Sequence, residues 1–108
     1  MAKYIIRKTS GGQFWWVLEA GNGNILITGE TYTSKQNCLS GVAASKVSIS
    51  ESNFRRLLSV RHEPYFTQNS ANGQVLGTSE MYSTAYGRDN GIESVKQNAF
   101  SAVIEDLT

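Results

Sequence analysis

Cysteine, histidine and proline each occur once in the 108 residues, as Cys38, His62 and Pro64. A lone cysteine excludes an intramolecular disulfide, and with it the stapled class of small secreted domain. One cysteine and one histidine, far apart in the chain, offer no ligand spacing for zinc. No metal and no cofactor is expected. An excess of charge of one sign is also missing. Ten Lys and Arg against nine Asp and Glu leave a formal net charge of +1, so no global field draws the chain to nucleic acid or to an acidic membrane. No apolar run approaches the length of a bilayer span, and the stretch Met1–Lys8 lacks the apolar core of an export signal. A cytoplasmic protein with no membrane segment is expected.

What is present is the composition of an ordinary globular domain, 40% hydrophobic and 18% charged with ten glycines. The chain is also internally repetitive. At an offset of 50 residues, Asn22, Gly23, Leu26, Thr28, Glu30, Tyr32, Gly41 and Lys46 fall on Asn72, Gly73, Leu76, Thr78, Glu80, Tyr82, Gly91 and Lys96 without a gap. Chance would supply roughly one or two such identities over that span. The chain is read as a single domain, 1–108, made of two repeats of about 1–52 and 53–108.

Each repeat has the same local grammar. Lys3–Thr9 is a short strand, ended by Gly11-Gly12. Gln13–Ala20 alternates, with Phe14, Trp16 and Leu18 on one side and Trp15 and Val17 on the other. Asn22-Gly23 signals a tight hairpin turn with positive φ at both central residues, and Ile25–Glu30 returns. Thr33 or Ser34 offers a helix cap, and Cys38, Leu39, Val42 and Ala43 form an apolar stripe on a helix ending near Lys46 to Ser48. The second copy gives a strand at Phe54–Val60, a hairpin about Asn72-Gly73, a helix capped by Thr84, and a last strand at Ala102–Asp106. Gly41 and Gly91 lie inside the two helices, where glycine costs about 0.5–1 kcal/mol; close approach of the helix to the sheet is the expected reason.

The pattern Phe14-x-Trp16-x-Leu18-x-Ala20-x-Asn22-Gly23, then Thr28-x-Glu30-x-Tyr32-Thr33-Ser34-Lys35 and Gly41-Val42, resembles the YegP-like family of small proteins. Ala71-Asn72, Ser79-x-Met81-Tyr82 and Gly91–Lys96 carry the likeness through the second half. The resemblance implies an α+β fold of tandem β-β-β-α-β repeats. They would share one antiparallel sheet with two helices on one face, be related by a pseudo-two-fold, and exchange their C-terminal strands. It also suggests that the one strand at Asn53–Val60 both ends the first copy and opens the second. It brings no established biochemical activity. The second copy departs from the pattern at Pro64, Phe66 and Gln68. Pro64 favours an edge or a strand start, and Gln68 needs a polar partner or solvent, so a more loosely packed second hairpin is expected.

No residue set spells out an enzyme. Cys38 and His62 would have to meet in space to form a nucleophile pair, and Gly21-Asn22-Gly23 lacks the strand–loop–helix order of a phosphate loop. Glu30 and Glu80 are better read as bonding amides near the helix starts than as paired catalytic carboxylates. Lys46 and Lys96 suit helix C-termini, and Tyr32 and Tyr82 suit core edges. A non-catalytic binding or interaction module is therefore expected, monomeric, with a protein or small-molecule partner. It would use an uncovered sheet face or the groove between the halves, at Trp15, Tyr65, Arg55 and Arg61. Alternation sets Trp15 opposite Trp16, on the side away from the core. The alternative is a nucleic-acid or anion binder using Arg55, Arg56 and Arg61. An enzyme with an unrecognised site is the third reading.

Overall fold

The computed structural model describes residues 1–108. The chain runs β1 (Lys3–Lys8), β2 (Phe14–Glu19), β3 (Ile25–Gly29), α1 (Lys35–Val47), a 3-10 turn (Glu51–Asn53), β4 (Phe54–Leu58), β5 (Pro64–Asn69), β6 (Val75–Thr78), α2 (Ala85–Asn98) and β7 (Val103–Asp106). All seven strands form one sheet in the order β4-β5-β6-β3-β2-β1-β7. The two repeats meet at its centre, where Thr28 faces Thr78 and Gly29 faces Gly77. The offset of 50 holds for the elements as it does for the residues, down to a β-bulge at Leu18/Glu19 and another at Gln68/Asn69.

The sheet is mixed rather than antiparallel throughout. β7 lies parallel to β1, with Lys3 beside Val103 and Ile6 beside Asp106, while every other neighbouring pair is antiparallel. A strand that arrives through a helix can enter the sheet in either direction, whereas a hairpin cannot. The last strand of the second repeat thus closes the first. β4 has a neighbour on one side only, β5. It opens the second repeat and does not also complete the first, because one strand cannot lie beside itself.

Both helices pack on the same face, joined to the strands in one core that holds Tyr4, Ile6, Trp16, Leu18, Phe66, Cys38, Val42, Ile92 and Val95. Ser34 caps α1 through the Asn37 amide, and Thr84 caps α2 through the Gly87 amide. Neither Glu30 nor Glu80 takes that part; both are exposed. At mid-helix, a Cβ on Gly41 would lie 2.3 Å from the Tyr32 hydroxyl, and one on Gly91 would lie 2.3 Å from the Tyr82 hydroxyl. The close approach expected of these glycines is real, but it is made by a tyrosine ring and not by the sheet backbone.

The hairpin turns differ from the expected type. Gly12, Gly23, His62 and Gly73 have positive φ, at 83, 89, 62 and 88°, while Asn22 and Asn72 do not. In each, the positive-φ residue donates its amide three residues back, to Thr9, Ala20, Ser59 and Ser70. This is a type I turn closed by a bulge residue in the left-handed region. Asn22 contributes through its side chain, which accepts from the Asn24 amide at 3.0 Å.

Gln68 overturns the expectation of a loose second hairpin, for it is fully buried. Its amide nitrogen donates to the carbonyls of Ser45 and Ser48, each at 2.9 Å, at the C-terminal end of α1 where helix carbonyls lack internal partners. The Ser45 hydroxyl donates to Gln68 Oε1 at 2.7 Å, which leaves Ser45 Oγ to accept from the Tyr4 hydroxyl at 2.8 Å. Under the offset, the equivalents of Tyr4, Ser45 and Gln68 are Phe54, Val95 and Leu18, all apolar and all in the core. Pro64, as expected, begins its strand.

Candidate functional site: the uncovered sheet face and a groove behind it

The face away from the helices is laid out by strand register. One row crosses all seven strands: Arg55, Thr67, Thr78, Thr28, Val17, Ile5 and Glu105. Two residues from this row, Trp15 pairs with Arg7 and Tyr65 pairs with Leu57. Trp15 and Tyr65 are equivalent under the offset of 50, and both are half-buried. Because β2 and β5 run antiparallel, the two rings lie on opposite sides of the central row. Three strand spacings and two residues either way put them roughly 20 Å apart.

Three of the four residues singled out from the sequence, Trp15, Tyr65 and Arg55, are thus brought to one face. Arg61 lies apart, exposed in the β4–β5 turn, its amide bonded to Ser59 Oγ at 3.2 Å. The arginine cluster is divided. Arg55 points to the uncovered face and makes no ion pair, whereas Arg56 points the other way, held by Glu51 and by Asp89. Those two arginines adjoin in sequence but lie on opposite sides of a pleat. Arg7 takes Arg56's place on the face and was not singled out; alternation from buried Ile5 was the signal that could have found it.

Glu51 is the hub of the buttress behind β4. It accepts from Arg56 and from Lys96, which hold its carboxyl down at about 2. Lys96 is therefore spent on Glu51 and Glu93 rather than on its helix end. Lys46 likewise leaves its helix end to donate to the carbonyls of Ala102 and Phe100, at 2.6 and 3.4 Å.

The concave feature of the surface is an open groove of about 660 Å³ on the helix side. It runs between the first hairpin tip, with Asn22 and Asn24, and the second repeat, with Glu80, Tyr82, Asn90 and Ser94. Burial, with Glu80 nearby, raises the Tyr82 hydroxyl above its ordinary pKa. The lining is one carboxylate, Glu80, among neutral hydrogen-bonding side chains, and none of Trp15, Tyr65, Arg55 and Arg61 contributes to it. The thiol and the imidazole are not brought together. Cys38 is fully buried on α1 and its pKa is raised by burial and by Asp106, while His62 is exposed in a turn. No group of three or more His, Cys, Asp and Glu side chains converges as a metal site, and no helix is long and apolar enough to cross a membrane.

The model of a domain of unknown function, DUF1508, matches residues 10–48 and again 60–106, one match per repeat. A UPF0339 protein of Acinetobacter baylyi is 42% identical over 106 residues, 97% of this chain and 96% of its own. YegP of Escherichia coli is 39% identical over 104 residues, covering 95% and 94%. The solution NMR structure of a UPF0339 protein from Shewanella oneidensis superposes with a TM-score of 0.93 at 39% identity, covering 99% of this chain and 92% of that one. That of E. coli yegP, described as a protein of unknown function, gives 0.93 at 37% identity, covering 99% and 93%.

Proposed function

The chain belongs to the UPF0339, or YegP-like, family of uncharacterised function, and within it we propose that this protein is a small non-catalytic binding module whose contact surface is the uncovered sheet face. One observation carries the reading. Duplication has placed an aromatic ring at equivalent points of both halves, Trp15 and Tyr65, on the face no helix covers, beside the unpaired guanidiniums of Arg7 and Arg55. Ile5, Val17 and Thr67 in the row between them are buried, so the half-buried rings and the arginines are what this face offers a partner. Their separation of roughly 20 Å, from strand spacing and rise, suits an extended polymer better than a compact metabolite. Arg61 stands at the rim. We take the module to act as one domain and as a cytoplasmic monomer. Its Cys38 thiol is free and buried, and its second repeat already fills the place of a symmetric partner.

Photo-crosslinking from position 65 tests this, with position 86 as control, since Tyr86 is exposed on α2. A discrete adduct from position 65 that Trp15→Ala abolishes is the expected result. The same adducts from both positions would sink the reading. A second reading, single-stranded nucleic acid, is favoured by the pairing of stacking rings with free arginines. It requires that an oligothymidylate bind and that binding fall steeply with salt.

A further inference from the structure

We propose that the outer edge of β4 is a peptide-docking site that receives an acidic strand running parallel to β4, in the manner in which β7 lies beside β1. The chain supplies its own template. β7 completes the sheet beyond β1, and its acidic residues are met by lysines. Lys3 pairs with Glu105 at 2.8 Å, and Lys35 with Asp106 at 2.8 Å. Beyond the register, the Leu107 amide donates to the Ile6 carbonyl at 3.0 Å. The offset of 50 maps β1 onto β4, so β4 is the strand beside which a second β7 would lie. It has none: its outer edge is paired with no strand, and no turn or loop backbone bonds to it.

The side chains on that edge match such a strand. In the β1–β7 register, Ile5 stands beside Glu105 and Ile6 beside Asp106. The equivalents of Ile5 and Ile6 are Arg55 and Arg56, both exposed. A strand that copies β7 would set its glutamate beside the unpaired Arg55 on the uncovered face. It would also set its aspartate beside Arg56, where it competes with Glu51 and Asp89 for the guanidinium, so the charge match is carried by Arg55. Opposite charges on neighbouring strands stabilise the pair. Added strands bind through main-chain hydrogen bonds, with side chains setting the choice of sequence. β7 itself shows that little apolar burial is needed, since Val103 and Ile104 remain about half exposed, at 52 and 47%. The occupant is thus an extended segment of another protein with the pattern apolar-apolar-acidic-acidic. Arginines are also a common guard on a bare edge, and the experiment separates a guard from a receiver.

The probe is the N-acetylated, C-amidated octapeptide Ser-Ala-Val-Ile-Glu-Asp-Leu-Thr, the sequence of residues 101–108, titrated into the full chain labelled for NMR. Saturable amide shifts are expected on Phe54–Leu58 and not on Lys3–Lys8, where the tethered β7 holds its place by effective concentration. Arg55→Glu is expected to weaken the peptide about fivefold. A peptide with lysine at both acidic positions is expected to bind wild type worse and Arg55→Glu better, since exposed pairs contribute up to about 1 kcal/mol each. Arg55 has no ion-pair partner, so this substitution spares the fold, and the variant's spectrum confirms it. Trp15→Ala is expected to change nothing, which separates this edge from the face proposed above. Absence of saturable shifts on β4 at roughly millimolar peptide, the weak limit of specific association, would leave the arginines as guards and overturn the proposal. Shifts on β4 produced by raising protein concentration without peptide would assign the edge to a second copy and overturn it equally.

Discussion

At the scale of residues, two positions carry testable conformational strain or crowding. His62 occupies, at φ 62°, the place that Gly12, Gly23 and Gly73 hold in the other three hairpin turns. A side chain in the left-handed region costs roughly 1–2 kcal/mol, partly offset by the greater chain freedom that glycine loses on folding. His62→Gly should therefore raise stability by about 0.5–1 kcal/mol, seen as a higher midpoint in thermal unfolding; a lower midpoint would contradict this account of the turn. Gly91→Ala should do the opposite despite alanine's better helix propensity. The added methyl would sit 2.3 Å from the Tyr82 hydroxyl and 2.8 Å from its ring carbon, and such overpacking costs typically about 1–3 kcal/mol. In a Tyr82→Phe background the penalty should shrink. An equal penalty in both backgrounds would assign the crowding elsewhere.

At the scale of elements, one buried side chain, Gln68, ties β5 to the end of α1 and, through Ser45, to Tyr4 of β1. Gln68→Leu removes the donor to two helix-end carbonyls and the acceptor of the Ser45 hydroxyl. A loss of about 2–4 kcal/mol is expected from buried groups left unpaired. Adding Tyr4→Phe and Ser45→Val copies the sister trio Phe54, Val95 and Leu18 and should recover part of that loss, measured by urea unfolding. No recovery would mean that the two sites are not packed alike.

The Glu51 buttress makes the β4 end sensitive to acid. Arg56 and Lys96 hold its carboxyl at about 2 in the folded chain, against an ordinary 4.5. A lowered folded-state value gives stability that is present above pH 4.5 and drains as pH falls towards 2. Asp106, lowered by Lys35 and Thr108, drains in the same direction at the β7 end. Glu51→Gln should flatten the unfolding free energy between pH 4.5 and 2; an unchanged slope would show that the contacts do not persist in solution. At the alkaline end the sign reverses. Burial pushes the Tyr4 hydroxyl up to about 12 from 10, so stability should fall as pH rises through that window.

At the scale of the whole molecule, the duplicated halves share one sheet and one core, and we expect them to fold together. β3 and β6 pair at the sheet centre, β7 of the second repeat edges the first, and Gln68 of the second ends α1 of the first. One calorimetric transition is expected for the chain, and a fragment of residues 1–52 should remain unfolded, its β1 lacking β7 and its core lacking Phe66 and Ile92. Two resolved transitions would show that each repeat folds alone.

The duplication, the order of elements, the caps and the division of Trp15 from Trp16 were all legible in the chain, because each is fixed by spacing within a few residues or by the offset of 50. The sequence likewise determined that Trp15 and Tyr65 share a face, since alternation and the offset together demand it. The tertiary structure alone decided that Arg56 is held by Asp89 of α2, that Gln68 is buried against α1, that β7 runs parallel to β1, and that β4 keeps a free edge. The physical reason is common to all four. Each depends on which neighbour lies beside a strand, and pairing between segments 20 to 100 residues apart is settled by packing and register, not by the local pattern of either partner.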